Sequence, residues 1–472
     1  MSAARILGLV GVYLLALPSP ALAYLDPGTG SMLLSALIGL VATVFFMLKA
    51  LWYKSASFWY RLRGLEAPSS RGDIVFYSEG RQYWATFKPI VEALEKRGAP
   101  LLYLSSDSGD PGLADRAASS RARCIGKGSR AFALLNLLEA DICVLTTPGL
   151  DVLQIRRSPG VAHYSHMVHA ITDMAFYKLY SFDYFDSILL GGPHQSRSLR
   201  WLESLRGTPP KMLLETGCPY MDVLASERGH EAEEKTACDP PPELHGQAVS
   251  SERQPEDQAG KVSGKGPGMR PALLVAPTWG RNGLLTRFGL ELLQPLADAG
   301  FRLCIRPHPQ SSLAEPGLLR ELQAALAKHQ AVSWDFGPSP FAAMQRADVL
   351  LSDLSGIVFD FALIFEKPVL TMEFTPDLRG QEANDLPWRA WELEILPRLG
   401  QTLCPADIPR LPEIIAGLPP AEVFVPAMRS LRAASLYNFK RSGEVAAGQL
   451  LAIQAGIRAR REEGRLPGAA AV

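Results

Sequence analysis

The sequence predicts an α/β protein with two domains, each built on a parallel sheet, that face each other across a cleft. In residues 71–225, and again in 271–440, short apolar runs alternate with segments of helical periodicity. This alternation is typical of parallel strands covered by helices on both faces. Between the two series, residues 226–270 are rich in Glu, Pro, Gly, Ser and Gln. Such a composition cannot bury a core, so we interpret this stretch as a flexible linker or insertion.

The first 53 residues predict a membrane segment ahead of the first domain. Residues 1–23 form an apolar run that ends in small residues, which is typical of a signal peptide or a first membrane span. Residues 24–53 contain a turn rich in helix breakers and then a mostly apolar stretch of about twenty residues, long enough to cross a bilayer; a buried core helix is the alternative. Basic residues follow this stretch, so we expect the domains in the cytoplasm.

Each element of the first domain follows from a local pattern. Runs of four to eight apolar residues predict strands, and apolar residues at helical spacing predict helices. The strands are expected at Ile74–Tyr77, Leu101–Leu104, Ile142–Leu145, Val161–Val168 and Ile188–Leu190, and the helices at Trp84–Lys96 and Ala131–Leu138.

The same reasoning applies to the second domain. Strands are expected at Leu273–Ala276, Phe301–Ile305, Val332–Trp334, Ala347–Ser352 and Val369–Met372, and helices at Phe288–Ala299 and Leu318–His329. Pro295 is expected to kink the first of these helices, because proline removes a helical hydrogen bond. Residues 441–472 predict a C-terminal amphipathic helix with a basic tail, solvated or facing a membrane.

The composition excludes several functional classes. Lys and Arg together number 48, as do Asp and Glu, so the net charge is zero. This balance argues against a nucleic-acid partner that depends on a general positive field. The six cysteines are scattered without a CxxC pair, and neither a phosphate-binding glycine loop nor a dinucleotide fingerprint is present. We therefore predict reduced thiols, no metal and no cofactor.

Two motifs in the second domain point to phosphate chemistry. The turn Ser352-Asp353-Leu354-Ser355-Gly356 follows a buried strand and opens a helix, where unpaired N–H groups and the helix dipole favour anions. Arg306-Pro307-His308-Pro309 follows another strand of the same domain. Because ligands bind at the carboxyl ends of strands in open α/β sheets, both motifs are expected at one site.

Together with Tyr164–Ala170 and Thr216–Leu224, these motifs carry a resemblance to a known family. Over roughly 161–370 the chain resembles the CDP-glycerol glycerophosphotransferases, the teichoic-acid primases and polymerases of the GT-B fold. The resemblance implies two Rossmann-like domains, with the acceptor bound by residues 71–225 and the nucleotide donor bound by residues 271–440.

The resemblance also implies roles for individual residues. His169 matches the histidine thought to act as general base on the acceptor hydroxyl, although Val168 and Ala170 replace its usual tryptophan and glycine neighbours. His308 matches a histidine that contacts the donor phosphates. The other residues expected at the donor are Arg306, Thr278, Ser352, Asp353, Ser355 and Gly356, and those expected on the acceptor side are His166 and His194.

The function implied by the resemblance is transfer of glycerol phosphate, or a similar polyol phosphate, from a CDP-activated alcohol. The acceptor would be a hydroxyl of a cell-envelope glycan or lipid-linked molecule at the inner membrane of a bacterium, and CMP would be released. Two alternatives are open. The chain could be a glycosyltransferase of the same fold that uses a nucleotide sugar, or a non-catalytic nucleotide-binding module of a surface-polysaccharide system.

Overall fold

The computed structural model describes residues 37–41, 43–44, 47, 69–114, 117–237, 270–337, 339–373 and 375–464. The chain divides into two compact units, Met1–Glu66 and Ala67–Val472. The described residues of the first unit are helical and exposed.

The predicted fold class needs one correction, which concerns its membrane segment. Within the described ranges, no helix is long and apolar enough to cross a bilayer, a task that takes about twenty consecutive apolar residues. On this finding, the prediction of a membrane segment in the fold class is wrong. The predictions for residues 1–23, and for most of 24–53, fall outside the described residues.

The first sheet has seven parallel strands in the order β3-β2-β1-β4-β5-β6-β7. Their bounds are β1 Ser69–Ser78, β2 Leu101–Ser105, β3 Ser120–Cys124, β4 Glu139–Leu145, β5 Val161–Met167, β6 Ser187–Leu190 and β7 Met212–Glu215. The second sheet has six parallel strands in the order β10-β9-β8-β11-β12-β13. Their bounds are β8 Ala272–Val275, β9 Arg302–Ile305, β10 Val332–Trp334, β11 Val349–Ser352, β12 Val369–Met372 and β13 Gly400–Leu403.

Helices cover both sheets. In chain order they are α1 Trp84–Lys96, α2 Ser129–Leu135, α3 Pro193–Arg206, α4 Pro219–Ala237, α5 Leu284–Asp298, α6 Pro309–Ala314, α7 Pro316–Leu326, α8 Phe341–Arg346, α9 Ile357–Phe359 with a π-helical turn at Asp360–Ile364, α10 Trp391–Ile395, α11 Leu411–Ala416, α12 Ala421–Ser435 and α13 Ser442–Glu462. The parallel α/β architecture predicted from the alternating pattern is thus present in both domains.

Strand order places a crevice in each sheet. The order reverses between β1 and β4 in the first sheet and between β8 and β11 in the second. At such a switch point the connections leave in opposite directions, which opens a ligand crevice at the carboxyl ends of the strands. The central strands β4, β8 and β11 are almost wholly buried, so they form a rigid base for the loops that follow them.

The C-terminal helix returns to the first domain. Helix α12 packs in the core of the second domain, whereas α13 packs through Ala446, Leu450 and Ile457 on the first sheet. Arg458 and Arg461 of this helix form ion pairs with Asp141, which is fully buried. The helix predicted in 441–472 is therefore part of the first-domain core between residues 442 and 462.

Two boundaries differ from the sequence-based expectation. Helix α4 continues through Ala237, so residues 226–237 of the predicted linker are helical, while 238–269 lie outside the described residues. Helix α5 is interrupted at Gly289, with φ 43° and ψ −119°, rather than at Pro295. Glycine adopts positive φ without steric cost, so the break falls there.

Candidate functional site in the interdomain cleft

A cavity of about 170 Å³ lies between the two domains. Phe176, in the loop after β5, lines it from the first domain. Residues that follow β8, β11 and β12 line it from the second domain: Thr278, Asn282, Asp353, Leu354, Pro376, Asp377 and Gln381. The carboxyl edges of both sheets therefore meet at this cavity, as expected for a cleft between two α/β domains.

The candidate donor residues form a row along the edge of the second sheet. Phe336 follows β10, His308 follows β9, Thr278 follows β8 and Gly356 follows β11, and these four strands are neighbours in that order. Strands lie about 4.8 Å apart, so the row spans about 14 Å. Two of the motifs singled out in the sequence, around His308 and Gly356, are thus at one edge.

His308 caps the short helix α6. Its Nδ1 accepts a hydrogen bond of 3.2 Å from the backbone N–H of Gln310, so the ring proton resides on Nε2, which can donate. Burial lowers the pKa of His308, which favours this neutral donor form at neutral pH. The indole of Trp279 lies 6.4 Å away, nearly parallel, and is 48% exposed. Trp279 therefore presents an exposed indole beside His308.

Arg306 is engaged by protein groups. Its guanidinium donates to the carboxylate of Asp335 at 2.6 Å and to the carbonyl of Gly337 at 2.7 Å. The side chain is largely buried in this arrangement. These bonds fix the loop after β10 beside His308 and leave the guanidinium poorly placed for the donor-phosphate contact predicted from the motif.

Ser352 and Asp353 form hydrogen bonds that connect two loops of the site. The Ser352 hydroxyl is fully buried and donates to the carbonyl of Ala276 at 2.6 Å. The Asp353 carboxylate accepts hydrogen bonds from the backbone N–H groups of Thr278 at 2.8 Å and Leu284 at 2.9 Å. Burial raises the pKa of Asp353 against the lowering effect of these bonds. Both residues join the β11 turn to the loop after β8, and Asp353 also lines the cavity.

Ser355 and Gly356 form the open part of the turn. Ser355 is half-buried, and its N–H donates to the carbonyl of Asp353 at 2.9 Å. Gly356 is exposed and has ordinary helical angles, φ −55° and ψ −31°. A Cβ built at Gly356 would meet no atom within 4 Å. The space above this backbone is therefore free, as a phosphate approaching the peptide N–H groups would require.

His169 lies immediately after β5, on the first-domain side. Its imidazole packs edge-on against Tyr83, with ring centroids 5.3 Å apart, and against Tyr177, at 6.4 Å. Nδ1 is buried and forms no hydrogen bond among the described residues. Burial lowers the pKa of His169 to about 4. The ring is thus held in the neutral form, which can accept a proton.

The other two predicted histidines do not suit an acceptor contact. His166 is fully buried, with its ring against Phe182 and Phe185, each at a centroid distance of 5.0 Å. It cannot touch a substrate, because aromatic rings enclose it; burial lowers its pKa to about 3. His194 donates through Nε2 to the carbonyl of Ile171 at 2.6 Å and stacks on Trp391 of the second domain at 3.8 Å. Its contacts are those of a residue in the domain interface.

Some residues of the cleft were not singled out from the sequence. Tyr83 and Tyr177, which flank His169, and Gln381, which lines the cavity, come from three separate segments. Tyr177 and Gln381 lie at an interdomain contact centred on an isolated antiparallel bridge between Lys178 and Gln381. No local sequence pattern predicts this contact, because its two halves are far apart in the chain.

Comparison with known proteins gives distant likenesses in structure. The chain is similar to UDP-GlcNAc 2-epimerase of Methanocaldococcus jannaschii in complex with UDP-GlcNAc and UDP, with 10% identity and a TM-score of 0.47, over 81% of this chain and 100% of that one. It is similar to UDP-GlcNAc 2-epimerase of Neisseria meningitidis, with 12% identity and a TM-score of 0.47, over 81% and 100%. A glycosyltransferase of Rickettsia africae matches with 12% identity and a TM-score of 0.43, over 82% and 98%.

No protein-family model matches the chain, and no curated protein matches it. Membership of the CDP-glycerol glycerophosphotransferase family therefore stays a prediction. UDP-GlcNAc 2-epimerases and glycosyltransferases are among the solved structures to which the chain is similar. The class of the chain, a two-domain α/β protein with a cleft at the carboxyl edges of both sheets, rests on its own strand order and cavity.

Proposed function

We propose that the protein is a transferase that moves a group from a nucleoside-diphosphate donor to the hydroxyl of an acceptor. The observation that supports this most is the row of His308, Thr278 and Gly356 along one strand edge, beside a cavity that Phe176 closes from the other domain. The row offers an imidazole N–H and exposed peptide N–H groups, which are suitable donors to a diphosphate.

The exposed ring of Phe336 extends this row at β10. Phe336 stacks on Trp334 with centroids 6.3 Å apart and planes 9° from parallel, and it is 54% exposed. Nucleobases stack on exposed aromatic faces with little dependence on sequence. In the proposal, the base lies near Phe336 and the diphosphate lies between His308 and Gly356.

His169 is the proposed general base. It lies at the carboxyl end of β5, on the same side of the first sheet as Phe176. Its neutral imidazole would take the proton of the acceptor hydroxyl as that oxygen attacks the donor. An alanine at this position should reduce turnover by about a hundredfold or more, the contribution typical of a positioned base.

A sugar nucleotide is the donor class that we favour. In glycosyl transfer the acceptor oxygen attacks the anomeric carbon, and the nucleoside diphosphate leaves intact. In glycerol-phosphate transfer the acceptor attacks phosphorus, and the charge spread over the phosphoryl oxygens is usually neutralised by cationic groups. The guanidinium of Arg306, the cation closest to His308 in sequence, is already bound by Asp335 and Gly337.

Transfer from a CDP-activated alcohol is the second candidate. The motifs that carry the family resemblance favour it: Tyr164–Ala170, Thr216–Leu224, Arg306–Pro309 and Ser352–Asp360.

One experiment separates the candidates. The purified protein is incubated with UDP-, GDP- and CDP-sugars or CDP-glycerol, together with a lipid and glycan extract, and the nucleotides are analysed by mass spectrometry. A nucleoside diphosphate that His169→Ala no longer releases supports glycosyl transfer, whereas CMP from CDP-glycerol supports the second candidate. Donor binding without any release would indicate a non-catalytic module, and the absence of both binding and release would contradict the proposal.

A further inference from the structure

A short interdomain contact, here called the latch, joins Tyr177–Leu179 of the first domain to Gly380–Glu382 of the second. The N–H of Leu179 donates to the carbonyl of Gly380 at 3.1 Å, and the N–H of Glu382 donates to the carbonyl of Tyr177 at 2.8 Å. Lys178 and Gln381 form an antiparallel bridge between these bonds. The latch is thus a pair of strand-like segments, one from each domain.

Buried charges hold the latch closed. The carboxylate of Glu382 is fully buried, accepts a hydrogen bond of 3.0 Å from the N–H of Ser181, and pairs with Arg206. Arg206 also bonds to Asp183 of its own domain and Asp385 of the second domain, at 2.9 and 3.0 Å. Opening the latch would leave charges from both domains without their partners, which is costly in a buried setting.

Tyr177 belongs to the latch and also to the surroundings of His169. While its carbonyl is bound by Glu382, its ring packs against the imidazole of His169, with planes at 78°. The same ring contacts Phe182 at 4.9 Å. Tyr83, from the turn before α1, covers His169 from a second direction.

We propose that Tyr177 is a positioning residue that ties closure of the latch to the orientation and water exclusion of His169. The inference rests on the proposed function for the role of His169 as a base, but the coupling itself is a property of the fold. Closing the latch places the Tyr177 ring against the imidazole. Opening it withdraws the backbone to which that ring is attached and admits water to His169.

Three titratable groups among the described residues act on His169. Tyr83 and Tyr177 present their rings, and His166, three residues earlier in the chain, repels a second positive charge. Glu392 of the second domain faces Tyr177 in turn. Water exclusion is therefore the main influence on the imidazole, and its loss should return the pKa of His169 towards the ordinary value of about 6.5.

Nuclear magnetic resonance titration of the histidine Cε1–H signals in the full chain tests the coupling. The chain has eight histidines, and the spectrum of His169→Gln identifies the signal of interest. Tyr177→Leu should raise the pKa of His169 by at least one pH unit, a tenfold change in protonation, whereas Tyr177→Phe keeps the ring and should leave the pKa unchanged.

A second pair of variants, both at Glu382, tests the latch without changing the side chain of Tyr177. Glu382→Pro removes the N–H that binds the Tyr177 carbonyl. The backbone can accommodate proline there, because Glu382 begins a 3-10 turn and Gln381 before it is extended. Both variants lose the ion pair with Arg206, but Glu382→Gln keeps this N–H, so the difference between them measures the backbone bond. We expect Glu382→Pro to raise the pKa of His169 more than Glu382→Gln does. An unchanged value in both Tyr177→Leu and Glu382→Pro would overturn the coupling.

The outcomes distinguish this inference from the proposed function. Full turnover by His169→Ala would contradict the role as base and leave the titration result standing. If transfer is observed, Tyr177→Leu should lower kcat by tenfold or more with little change in the KM for the donor, and should move the acidic limb of the rate profile to higher pH. If Tyr177→Leu does not fold, as judged by circular dichroism, the two Glu382 variants decide.

Discussion

The backbone N–H of Asp173 donates a hydrogen bond of 2.8 Å to Oε1 of Glu392, across the contact between the two domains. The carboxyl groups of Asp173 and Glu392 are both buried, and Oε2 of Glu392 has no hydrogen-bond partner among the described residues. Burial first, and the neighbouring Asp173 second, raise the pKa of Glu392 to about 8. Burial likewise raises the pKa of Asp173 to about 6. The interface therefore holds a carboxylic acid that is protonated at neutral pH.

This acid should make stability fall as the pH rises towards 8. The folded chain keeps a proton on Glu392 up to about pH 8, whereas the unfolded chain loses it near pH 4.5. The corresponding stability is fully present below pH 4.5 and is lost as the pH rises to about 8. Between pH 6.5 and 8 the loss should be on the order of 1–2 kcal/mol, since one pH unit corresponds to about 1.4 kcal/mol.

Buried histidines change stability in the opposite direction, and they do so over a different pH range. Burial lowers the pKa of His166 to about 3, and those of His169 and His194 to about 4. Their contribution is present above pH 6.5 and is lost as the pH falls from there to about 4. Denaturant unfolding between pH 6.5 and 8 therefore isolates the carboxyl groups. Glu392→Gln should flatten the slope, while the exposed Glu413→Gln should not; an equal slope in both variants would rule out Glu392 as its source.

Arg206 should be a larger determinant of stability than any surface arginine. Its side chain is 9% exposed and that of its partner Glu382 is 0% exposed, so Arg206→Ala leaves a buried carboxylate without its main cation. The expected loss in the free energy of unfolding is about 3–5 kcal/mol. Arg410 pairs with Glu413 in full solvent contact, and Arg410→Ala should cost less than about 1 kcal/mol. Thermal melts of the two variants give the comparison, and similar losses would contradict it.

Asp353 should act on donor binding through the loop that it holds. Asp353→Ala leaves the N–H groups of Thr278 and Leu284 without acceptors, and each buried unsatisfied group costs about 1–3 kcal/mol. Asp353→Asn retains one acceptor oxygen and should lie between the wild type and the alanine variant. Isothermal calorimetry with the donor should show weakening in the same order. A donor affinity unchanged by Asp353→Ala would mean that the loop position does not matter for binding.

Elements with a strong local signal could be predicted from the sequence almost to the residue. Trp84–Lys96, Val332–Trp334 and Val369–Met372 have the same bounds in the structure. Strands β3, β7 and β13 were missed, because they are edge strands with several exposed residues, SRARC, MLLE and GQTL. An edge strand pairs on one side only and needs no continuous apolar run, so its sequence does not announce it.

The site could be predicted only where it depends on strand order. His308 follows β9 and Gly356 follows β11, and the parallel strands of one sheet bring their carboxyl ends to one edge. The burial of His166 depends on Phe182 and Phe185, which reach it through a loop whose path is not local. The latch depends on segments about two hundred residues apart.

The C-terminal helix offers a test of its packing. A solvated or membrane-facing helix end would tolerate substitution, but Leu450 is fully buried against the first sheet. Leu450→Ala should therefore reduce the free energy of unfolding by about 2–5 kcal/mol. Arg460→Ala, on the exposed side of the same helix, should change it by less than about 0.5 kcal/mol. Urea denaturation of both variants measures the difference, and two near-zero values would show that the helix is not part of the core.

Gly356 gives the sharpest test of where the donor binds. Its backbone angles are helical and a Cβ there meets no protein atom within 4 Å, so the protein itself does not require glycine. Gly356→Leu should leave the free energy of unfolding unchanged or raise it by up to about 1 kcal/mol, because leucine favours helix more than glycine. If the diphosphate lies against this backbone, the same side chain occupies its place and donor affinity should fall at least tenfold.

Gly317 is the matched control, because it lies in helix α7 and a Cβ there also meets no atom within 4 Å. Gly317→Leu should be as stable as Gly356→Leu and should bind the donor as the wild type does. Calorimetric titration with the donor identified in the nucleotide screen, alongside thermal melts, separates steric exclusion from misfolding. Equal donor affinity in both variants would place the diphosphate away from the β11 turn and would remove one end of the proposed row.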